Sequence, residues 1–471
     1  MKSLFLALCL LFCCLAPVRA AGSLSAALDR VLDAPALRGG ITGAIVCRVS
    51  DGRVLYAHNP DTRLLPASNR KLFTSAAALE LLGDDYRLQT ELRAAQKADA
   101  NGVLTGDLFL CGGGDGLLSL DDLDAMAQTL QKAGVRKITG NVVGDGSMFT
   151  DGPYGFGWEW DDFSDEEFPQ LSGLEANEGV LGVHVASGKA VGELVQASLV
   201  PPVDYLPLEV QAQTVARGDP KTVDVSRVWD QNVFQVTGHL PLGTALDQNV
   251  PVKDPPRLAA TLLRDALMRH GILVSGRTMM GKTPPEAFVV LASHTSAPLA
   301  QYIARMNKPS DNLLAESLVR VLGHVRGKGG SYDAGDAVEV PFFQSLGVDM
   351  TSIRLVDGCG VGRRNFVTAR AVAQLLLGMR RKADWKVYYD SLPIAGVDGT
   401  LQTRFKNTRA SGNVHAKTGT LSQVRALSGY FTGRGGGLYV FSLLMNNFPG
   451  TAHEAGTVQD KFVESLVDTL P

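Results

Sequence analysis

The chain of 471 residues has few cysteines and few histidines. Six cysteines are present, and three of them fall within the first 20 residues. The other three, Cys47, Cys111 and Cys359, are an odd number, so at least one is free or paired between chains. A chain of this length does not depend on disulfides for folding. The cysteine spacing fits no zinc site and the eight histidines form no H-E-x-x-H pattern, so we expect neither a catalytic metal nor a cofactor.

An excess of charge is also lacking. The 45 basic and 48 acidic residues leave a formal net charge of −3, which gives no support to a nucleic-acid partner. Hydrophobic residues make up 45% of the chain, enough for a large core, and the length predicts two or three domains.

Long apolar runs are scarce. Residues 4–15 form one such run after Lys2, and Ala20 precedes a typical signal-peptidase cleavage position. Residues 1–20 are therefore expected to be a signal peptide. The alternative is a membrane anchor, but the run is shorter than the ~20 residues that a span requires. No second apolar span follows, so we expect a periplasmic protein with no transmembrane span in the mature chain. The sequence leaves its oligomeric state open.

The sequence patterns of the first and last parts of the chain predict α/β structure. The early patterns predict strands over residues 41–49 and 54–58, then a helix over 68–82 that Gly83 ends. The late patterns predict helices over residues 298–306 and 311–322 and strands over 413–419, 426–432 and 438–445. A final helix carries an apolar stripe for packing on that sheet, formed by Val458, Phe462, Leu466 and Leu470.

The middle of the chain, from about residue 90 to 285, differs from its ends. Strands are predicted over residues 106–111 and 138–143, and helices over 121–133 and 255–270. Between residues 188 and 246 the pattern gives only short β-like runs. We therefore expect a β-rich part within this middle region.

The first of three short motifs is Ser68-Asn69-Arg70-Lys71 at a predicted helix start. Residues three apart on a helix share a face, so Ser68 and Lys71 are expected to meet. A serine hydroxyl is a weak nucleophile until a base takes its proton, and a lysine amine can do so when burial keeps it neutral. The motif alone also fits a serine N-cap with a solvated lysine.

The second and third motifs are Ser310-Asp311-Asn312 and Lys417-Thr418-Gly419-Thr420. In the second, the Ser310 hydroxyl could pass a proton and the Asn312 amide could hold a substrate carbonyl. In the third, Lys417 and Thr418 supply a cation and a hydroxyl for a carboxylate, and Gly419 leaves room for a backbone to approach. The N–H groups of Ser68 and Thr420 would form an oxyanion hole. The alternatives are an N-cap and an exposed strand lysine.

Together the motifs are in the order S-x-x-K, S-x-N, K-T-G of penicillin-binding proteins and serine β-lactamases. The chain resembles one group of these, the class C low-molecular-mass penicillin-binding proteins, also called the serine D-alanyl-D-alanine carboxypeptidase/endopeptidase family. The likeness covers most of the mature chain, and it rests also on residues 106–115, 157–162, 392–401 and 415–421. The long gap from Lys71 to Ser310 agrees, since this family has large insertions there and compact β-lactamases do not.

The resemblance implies an α/β fold, with a penicillin-binding (serine β-lactamase-like) domain whose sheet is flanked by helices and which large inserted domains interrupt, one of them β-rich. The penicillin-binding domain would comprise residues 21–90 and 286–471. The inserted domains would comprise residues 91–285, with the β-rich nested part at about 186–246.

The resemblance also implies an activity. Ser68 would attack the D-Ala carbonyl of peptidoglycan stem peptides, and water would release the acyl-enzyme. The same site would cut D-Ala–diaminopimelate cross-links, and β-lactams would acylate the same serine. Asp162 and Trp160 would line the side that recognises the diaminopimelate end.

One departure from the family stands at Cys359, where the family tends to have serine in an Asp-Gly-Ser-Gly segment. The sequence does not decide whether this changes substrate contacts or only packing. Two other functions remain open: a serine β-lactamase, which shares the three motifs, and a non-catalytic peptidoglycan-binding protein on the same fold. The preference between carboxypeptidase and endopeptidase activity is open as well.

Overall fold

The computed structural model describes residues 24–284 and 289–471. The predicted signal peptide, residues 1–20, lies outside them. The α-helices of the described residues are, in chain order, α1 Leu24–Leu32, α2 Arg70–Leu82, α3 Leu120–Lys132, α4 Pro255–Arg269, α5 Leu299–Asn307, α6 Asn312–Arg326, α7 Tyr332–Ser345, α8 Ala369–Met379, α9 Trp385–Ser391 and α10 Ala452–Thr469. Among these helices, none is both long enough and apolar enough to cross a membrane.

The strands follow the same order. They are β1 Ile41–Arg48, β2 Val54–His58, β3 Gln89–Ala94, β4 Val103–Leu104, β5 Leu108–Cys111, β6 Lys137–Ile138, β7 Val142–Asp145, β8 Val180–Ala186, β9 Gln196–Val200, β10 Leu208–Val210, β11 Gln213–Val215, β12 Asp224–Arg227, β13 Phe234–Thr237, β14 His239–Pro241, β15 Ala245–Pro251, β16 Leu273–Val274, β17 Thr278–Met280, β18 Val289–Thr295, β19 His415–Leu421, β20 Val424–Thr432 and β21 Leu438–Asn446.

The ends of the chain meet in one five-stranded antiparallel sheet of order β19-β20-β21-β1-β2. Successive side chains of a strand point to opposite faces, and both faces of this sheet are covered. On one face Ala44 and Val46 of β1 belong to a core that also contains residues of α1 and α10. On the other face Ile45 and Cys47 belong to a core shared with α2, α6 and α8. A sheet flanked by helices was predicted, and the structure confirms it.

Residues between α2 and α5 form a second hydrophobic core, whose members run from Leu92 to Ala292. It includes a mixed sheet of order β17-β7-β5-β3-β18 with α3 and α4. From β8 to β15 the regular elements of the described chain are all strands, and a short 3-10 turn, Asn177–Gly179, precedes them. This agrees with a β-rich part, while the proposed domain boundaries at residues 91, 186, 246 and 285 stay predictions.

Most predicted elements differ from the structure at their end residues, and two differ in kind. The single strand predicted over residues 138–143 is two strands, β6 and β7, which belong to different sheets. Gly140 separates them, and a Cβ there would lie 2.4 Å from the Gly106 carbonyl oxygen, so the chain turns where the backbones pass closely. The helix predicted from residue 68 begins instead with a 3-10 turn, Ala67–Asn69, and becomes α-helical at Arg70.

Candidate active site

Ser68 and Lys71 meet at the start of α2, in the core that lies under the sheet. Ser68 is part of the 3-10 turn and is half-buried, whereas Lys71 is in the first turn of the α-helix and fully buried. The Lys71 Nζ lies 3.0 Å from the Ser68 Oγ. The contact predicted from the three-residue spacing is therefore present.

The Lys71 amine has two further acceptors. One is the Asn312 Oδ1 at 2.7 Å, and the other is the backbone carbonyl oxygen of Cys359 at 3.2 Å. Burial lowers the pKa of Lys71, while nearby acidic groups, among them Asp311 and Asp357, act in the opposite direction.

These acceptors fix the direction of the lysine lone pair. The Asn312 and Cys359 oxygens are carbonyls, so each of them can only accept a hydrogen bond. A neutral amine has two N–H groups, and the two carbonyls use both. The remaining lone pair then faces the Ser68 hydroxyl, which can donate to it. The arrangement suits removal of the serine proton.

The second motif lies at the start of α6. Asp311 is the N-cap, and its Oδ1 accepts from the Leu314 N–H at 2.9 Å. Asn312 is in the first turn, where its Nδ2 donates to the Glu167 carbonyl at 3.1 Å while its Oδ1 accepts from Lys71. The structure thus brings Asn312 to Lys71.

Ser310 has a different environment. Its backbone has a φ of +77°, in the left-handed region, and its side chain is half-buried. Within the described part of the chain its hydroxyl makes no hydrogen bond, to Lys71 or to any other group. It lines a cavity of about 270 Å³ together with Asn312 and several acidic side chains. A proton-transfer role for Ser310 therefore stays a prediction.

The third motif lies on β19, at the edge of the sheet and against the Ser68 turn. The Asn69 Nδ2 donates to the Lys417 carbonyl at 2.8 Å. A Cβ on Gly419 would lie 2.7 Å from the Pro66 carbonyl oxygen and 3.0 Å from the Ala67 Cβ. Glycine was predicted to admit a backbone here, and the backbone that approaches is that of the turn carrying the serine.

Two side chains of this strand were predicted to hold a carboxylate. Lys417 is fully buried, and its Nζ donates to the Thr418 carbonyl at 3.2 Å. Burial lowers its pKa well below the usual range, and the charge of Lys71 acts in the same direction. Lys417 is thus not the exposed strand lysine of the alternative interpretation. The Thr418 Oγ1 lies 2.7 Å from the Thr400 Oγ1.

The backbone of β19 also presents N–H groups at the free edge of the sheet. The Ala416 N–H donates to the Pro393 carbonyl at 3.0 Å, away from the neighbouring strand β20. Because N–H directions alternate along a strand, those of Thr418 and Thr420 point to the same free side. The Thr420 side chain is exposed, and its Oγ1 accepts from the Arg425 guanidinium.

Comparison with known proteins identifies the family. The sequence pattern of the D-Ala-D-Ala carboxypeptidase 3 (S13) family matches residues 24–468. The chain belongs to this family. A D-alanyl-D-alanine carboxypeptidase from Actinomadura sp. (strain R39) is 38% identical over 456 residues, which are 94% of this chain and 84% of that protein. The resemblance stated from the motifs is confirmed.

Solved structures extend the likeness to the fold. Penicillin binding protein 4 (dacB) from Haemophilus influenzae has a TM-score of 0.81 and 27% identity, covering 93% of this chain and 98% of that one. The same protein complexed with a β-lactam has a TM-score of 0.75 and 26% identity, with the same coverage. The predicted α/β fold class is confirmed.

The family departure at Cys359 lies directly behind Lys71. The contact to Lys71 is made by the Cys359 backbone carbonyl and not by its thiol. The thiol is fully buried, 3.9 Å from the Asp357 Oδ2, and burial raises its pKa well above the usual range. The thiol is therefore shielded from solvent, and the contact to Lys71 does not involve it.

Two predicted substrate residues are less closely tied to the motifs. Trp160 is 76% exposed, and Asp162 accepts from the Glu159 N–H at 3.0 Å. Burial raises the pKa of Asp162. Neither residue contacts the three motifs within the described chain, but their loop reaches the site through Glu167, whose carbonyl accepts from Asn312.

Sequence reasoning missed several residues of the site. Glu316 is fully buried, and its Oε1 accepts from the Gly358 and Cys359 N–H groups at 2.8 and 2.9 Å. Thr400 joins Thr418 in the hydroxyl pair. One available signal was the position of Glu316, four residues after Asn312 and so on the same face of α6.

Glu316, Asp357 and Cys359 place ligand-type atoms within 4.8 Å of one another. The Glu316 Oε1 accepts the two loop N–H groups, and its Oε2 accepts from Arg320 at 2.9 Å. The two Asp357 oxygens accept from Gly360 and Gly362 at 2.7 and 2.6 Å. These donors already satisfy the hydrogen-bonding capacity of both carboxylates. We therefore interpret the cluster as a set of hydrogen bonds that holds the loop at residues 358–362, called the clamp below, and not as a metal centre.

Proposed function

We propose that the protein is a serine D-Ala-D-Ala carboxypeptidase and/or D-Ala–diaminopimelate endopeptidase that acts on peptidoglycan stem peptides through an acyl-enzyme at Ser68. One observation carries the mechanism: the Ser68 Oγ lies 3.0 Å from the Nζ of a fully buried lysine whose other two acceptors are carbonyls. The family membership supports the reaction class.

In the first step Lys71 takes the Ser68 proton as the oxygen attacks the D-Ala carbonyl carbon. Negative charge develops on the carbonyl oxygen. The N–H of Ser68, at the start of the helical segment, and that of Thr420, on the free sheet edge, would donate to this oxygen. The tetrahedral intermediate is thereby stabilised.

In the second step the bond to the terminal D-Ala breaks. The leaving amine needs a proton, and the Ser310 hydroxyl would pass it from the protonated Lys71. Lys417 and Thr418 would bind the carboxylate of the terminal D-Ala, and Asn312 would orient both Lys71 and the substrate. Water, activated by the same lysine, then attacks the Ser68 ester; the ester bond breaks, the shortened peptide leaves with a new terminal carboxylate, and the proton returns to Ser68.

β-Lactams would enter by the same route, since their ring carbonyl takes the place of the D-Ala carbonyl. The family relative crystallised with a β-lactam supports this partner class. For cross-linked substrates, Asp162 and Trp160 would border the diaminopimelate end. We further propose that the enzyme acts in the periplasm after removal of residues 1–20, where its substrate is found.

The test is hydrolysis of two substrates by the mature protein: a stem pentapeptide ending in D-Ala-D-Ala and a cross-linked peptide dimer. Release of D-Ala from the pentapeptide, of monomers from the dimer, or of both is expected from the wild type and not from Ser68→Ala. A folded wild type that binds the peptides without cleaving them would instead indicate the non-catalytic wall-binding protein. Turnover of many penicillin molecules per second would indicate a β-lactamase.

A further inference from the structure

Two residues of helix α6 act on the catalytic lysine, one by direct contact and one through a loop. Asn312, in its first turn, contacts the Lys71 Nζ directly at 2.7 Å. Glu316 lies four residues later on the same face of the helix. It does not contact Lys71, but it holds the loop that supplies the other carbonyl acceptor.

Glu316 holds this loop by accepting hydrogen bonds from two consecutive backbone N–H groups. Its Oε1 accepts from Gly358 at 2.8 Å and from Cys359 at 2.9 Å. Its other oxygen, Oε2, accepts from the Arg320 guanidinium at 2.9 Å. The side chain is fully buried, so water does not compete for these hydrogen bonds.

The next peptide unit carries the acceptor for Lys71. Its carbonyl, from Cys359, lies 3.2 Å from the Lys71 Nζ, and its N–H, from Gly360, donates to the Asp357 Oδ1 at 2.7 Å. Because a peptide unit is planar, fixing its N–H and the preceding peptide also fixes its carbonyl. The two carboxylates therefore set the direction of the Cys359 carbonyl.

We propose that Glu316 is a positioning residue for the acylation step: by holding the loop at Gly358 and Cys359, it keeps the Cys359 carbonyl on one Lys71 N–H, so that the lone pair faces Ser68. This inference rests on the proposed function, in which Lys71 is the base. Without the hydrogen bonds of Glu316 to the loop, the Lys71 amine could rotate. Its lone pair would then face the Ser68 hydroxyl in a smaller fraction of the molecules.

The test uses two variants that damage the clamp differently. In the wild type the two carboxylate oxygens of Glu316 accept from three donors, the N–H groups of the loop and the Arg320 guanidinium. Glu316→Gln has a single carbonyl oxygen as acceptor for these three donors. Glu316→Asp keeps the charge beside Arg320 but withdraws both oxygens from the loop by one methylene. The control is Arg320→Lys, which perturbs the same buried cluster and keeps a cation there while leaving the Glu316 Oε1 on the loop.

The measurement is stopped-flow acylation by a fluorescent penicillin, which separates non-covalent affinity, the acylation rate constant and the fraction of protein labelled. Both Glu316 variants should acylate at least tenfold more slowly, with non-covalent affinity within about twofold of the wild type. Arg320→Lys should acylate at a rate within about threefold of the wild type, even if it melts earlier. A purely structural role would lower the labelled fraction and leave the rate constant of the labelled protein unchanged.

Wild-type rate constants in both folded Glu316 variants would overturn the proposal. The proposal would also be overturned if Glu316→Gln acylated slowly and Glu316→Asp acylated at the wild-type rate. The negative charge of residue 316, and not the position of its oxygens, would then determine the acylation rate. If one variant does not fold, the other decides by the same rate criterion. Failure of the wild type itself to label would instead contradict the proposed function.

Discussion

The hydroxyl oxygens of Thr400 and Thr418 lie 2.7 Å apart, and this pair ties two motifs together. Thr400 also donates its N–H to the Lys308 carbonyl at 3.0 Å, two residues before Ser310. Lys308 in turn forms an ion pair of 2.6 Å with Asp398 in the same turn as Thr400. The turn thus connects the segment before the second motif to the strand of the third.

Replacing Thr400 by valine should weaken the binding of substrates that end in a free carboxylate. Valine keeps the shape but removes the hydroxyl that orients Thr418. The loss of one hydrogen bond, about 1 kcal/mol, corresponds to a rise in KM of roughly fivefold. Steady-state kinetics on a D-Ala-D-Ala peptide and on its C-terminal amide measure this, and the amide should be much less affected.

Thr400→Ser is the matched control, since it restores the hydroxyl and should recover most of the affinity. Equal KM values for valine and wild type would show that Thr418 needs no such partner.

Acylation should depend on pH through Lys71. The reactive form is the neutral amine, and burial lowers its pKa. Acylation should therefore be fastest above that lowered pKa and fall as the pH decreases through it, because protonation occupies the lone pair. Lys71→Met, which has no base, should lose about 10²- to 10⁴-fold in acylation rate at every pH. Penicillin acylation rates from pH 5 to 10 test both points, and a flat wild-type profile would argue against lysine as the base.

Gly419→Ala should displace the serine turn from the sheet. The added Cβ would lie 2.7 Å from the Pro66 carbonyl oxygen, which cannot move without the turn. Overpacking of this kind costs about 1–3 kcal/mol, and acylation should slow because the Ser68 and Thr420 N–H groups separate. Thermal unfolding and penicillin labelling measure the two effects. Gly152→Ala, where a Cβ would have no neighbour within 4 Å, is the control and should change neither.

Cys359→Ser should acylate within about threefold of the wild-type rate, because the contact to Lys71 comes from the backbone. Serine is slightly smaller, and its hydroxyl can donate to Asp357 in place of the thiol. In the native wild type, a thiol reagent should leave Cys359 unmodified because it is fully buried. Peptide mapping after iodoacetamide treatment checks this. Rapid modification, or loss of acylation in the serine variant, would assign the thiol a role that its burial does not support.

Local patterns accounted for much of the fold. Val54–His58 has the predicted bounds, since a short apolar run and the turn before it at Asp51-Gly52 are encoded within a few residues. The helix Tyr332–Ser345 was not predicted, because Gly335 and Pro341 within it oppose helix formation and packing against α6 overrides them. Local secondary-structure propensity is therefore informative where tertiary contacts favour the same structure. It fails where tertiary contacts stabilise an element that the local sequence disfavours.

The candidate site divides in the same way. The pair Ser68 and Lys71 followed from a spacing of three residues on one helix. The contacts of Glu316 to the loop span 42 and 43 residues, and that of Thr400 to Thr418 spans 18. No periodicity in the sequence encodes such contacts, because they arise only when separate elements pack. The left-handed backbone of Ser310 was equally inaccessible, since serine has no preference for that region.

The most direct measurement is labelling of the mature protein with a fluorescent penicillin, beside its Ser68→Ala variant, followed by mass spectrometry of the labelled peptide. The account predicts one covalent label per wild-type molecule, on Ser68, and none on a folded Ser68→Ala variant. Labelling of the variant, or no labelling of the folded wild type, would contradict Ser68 as the acylated nucleophile.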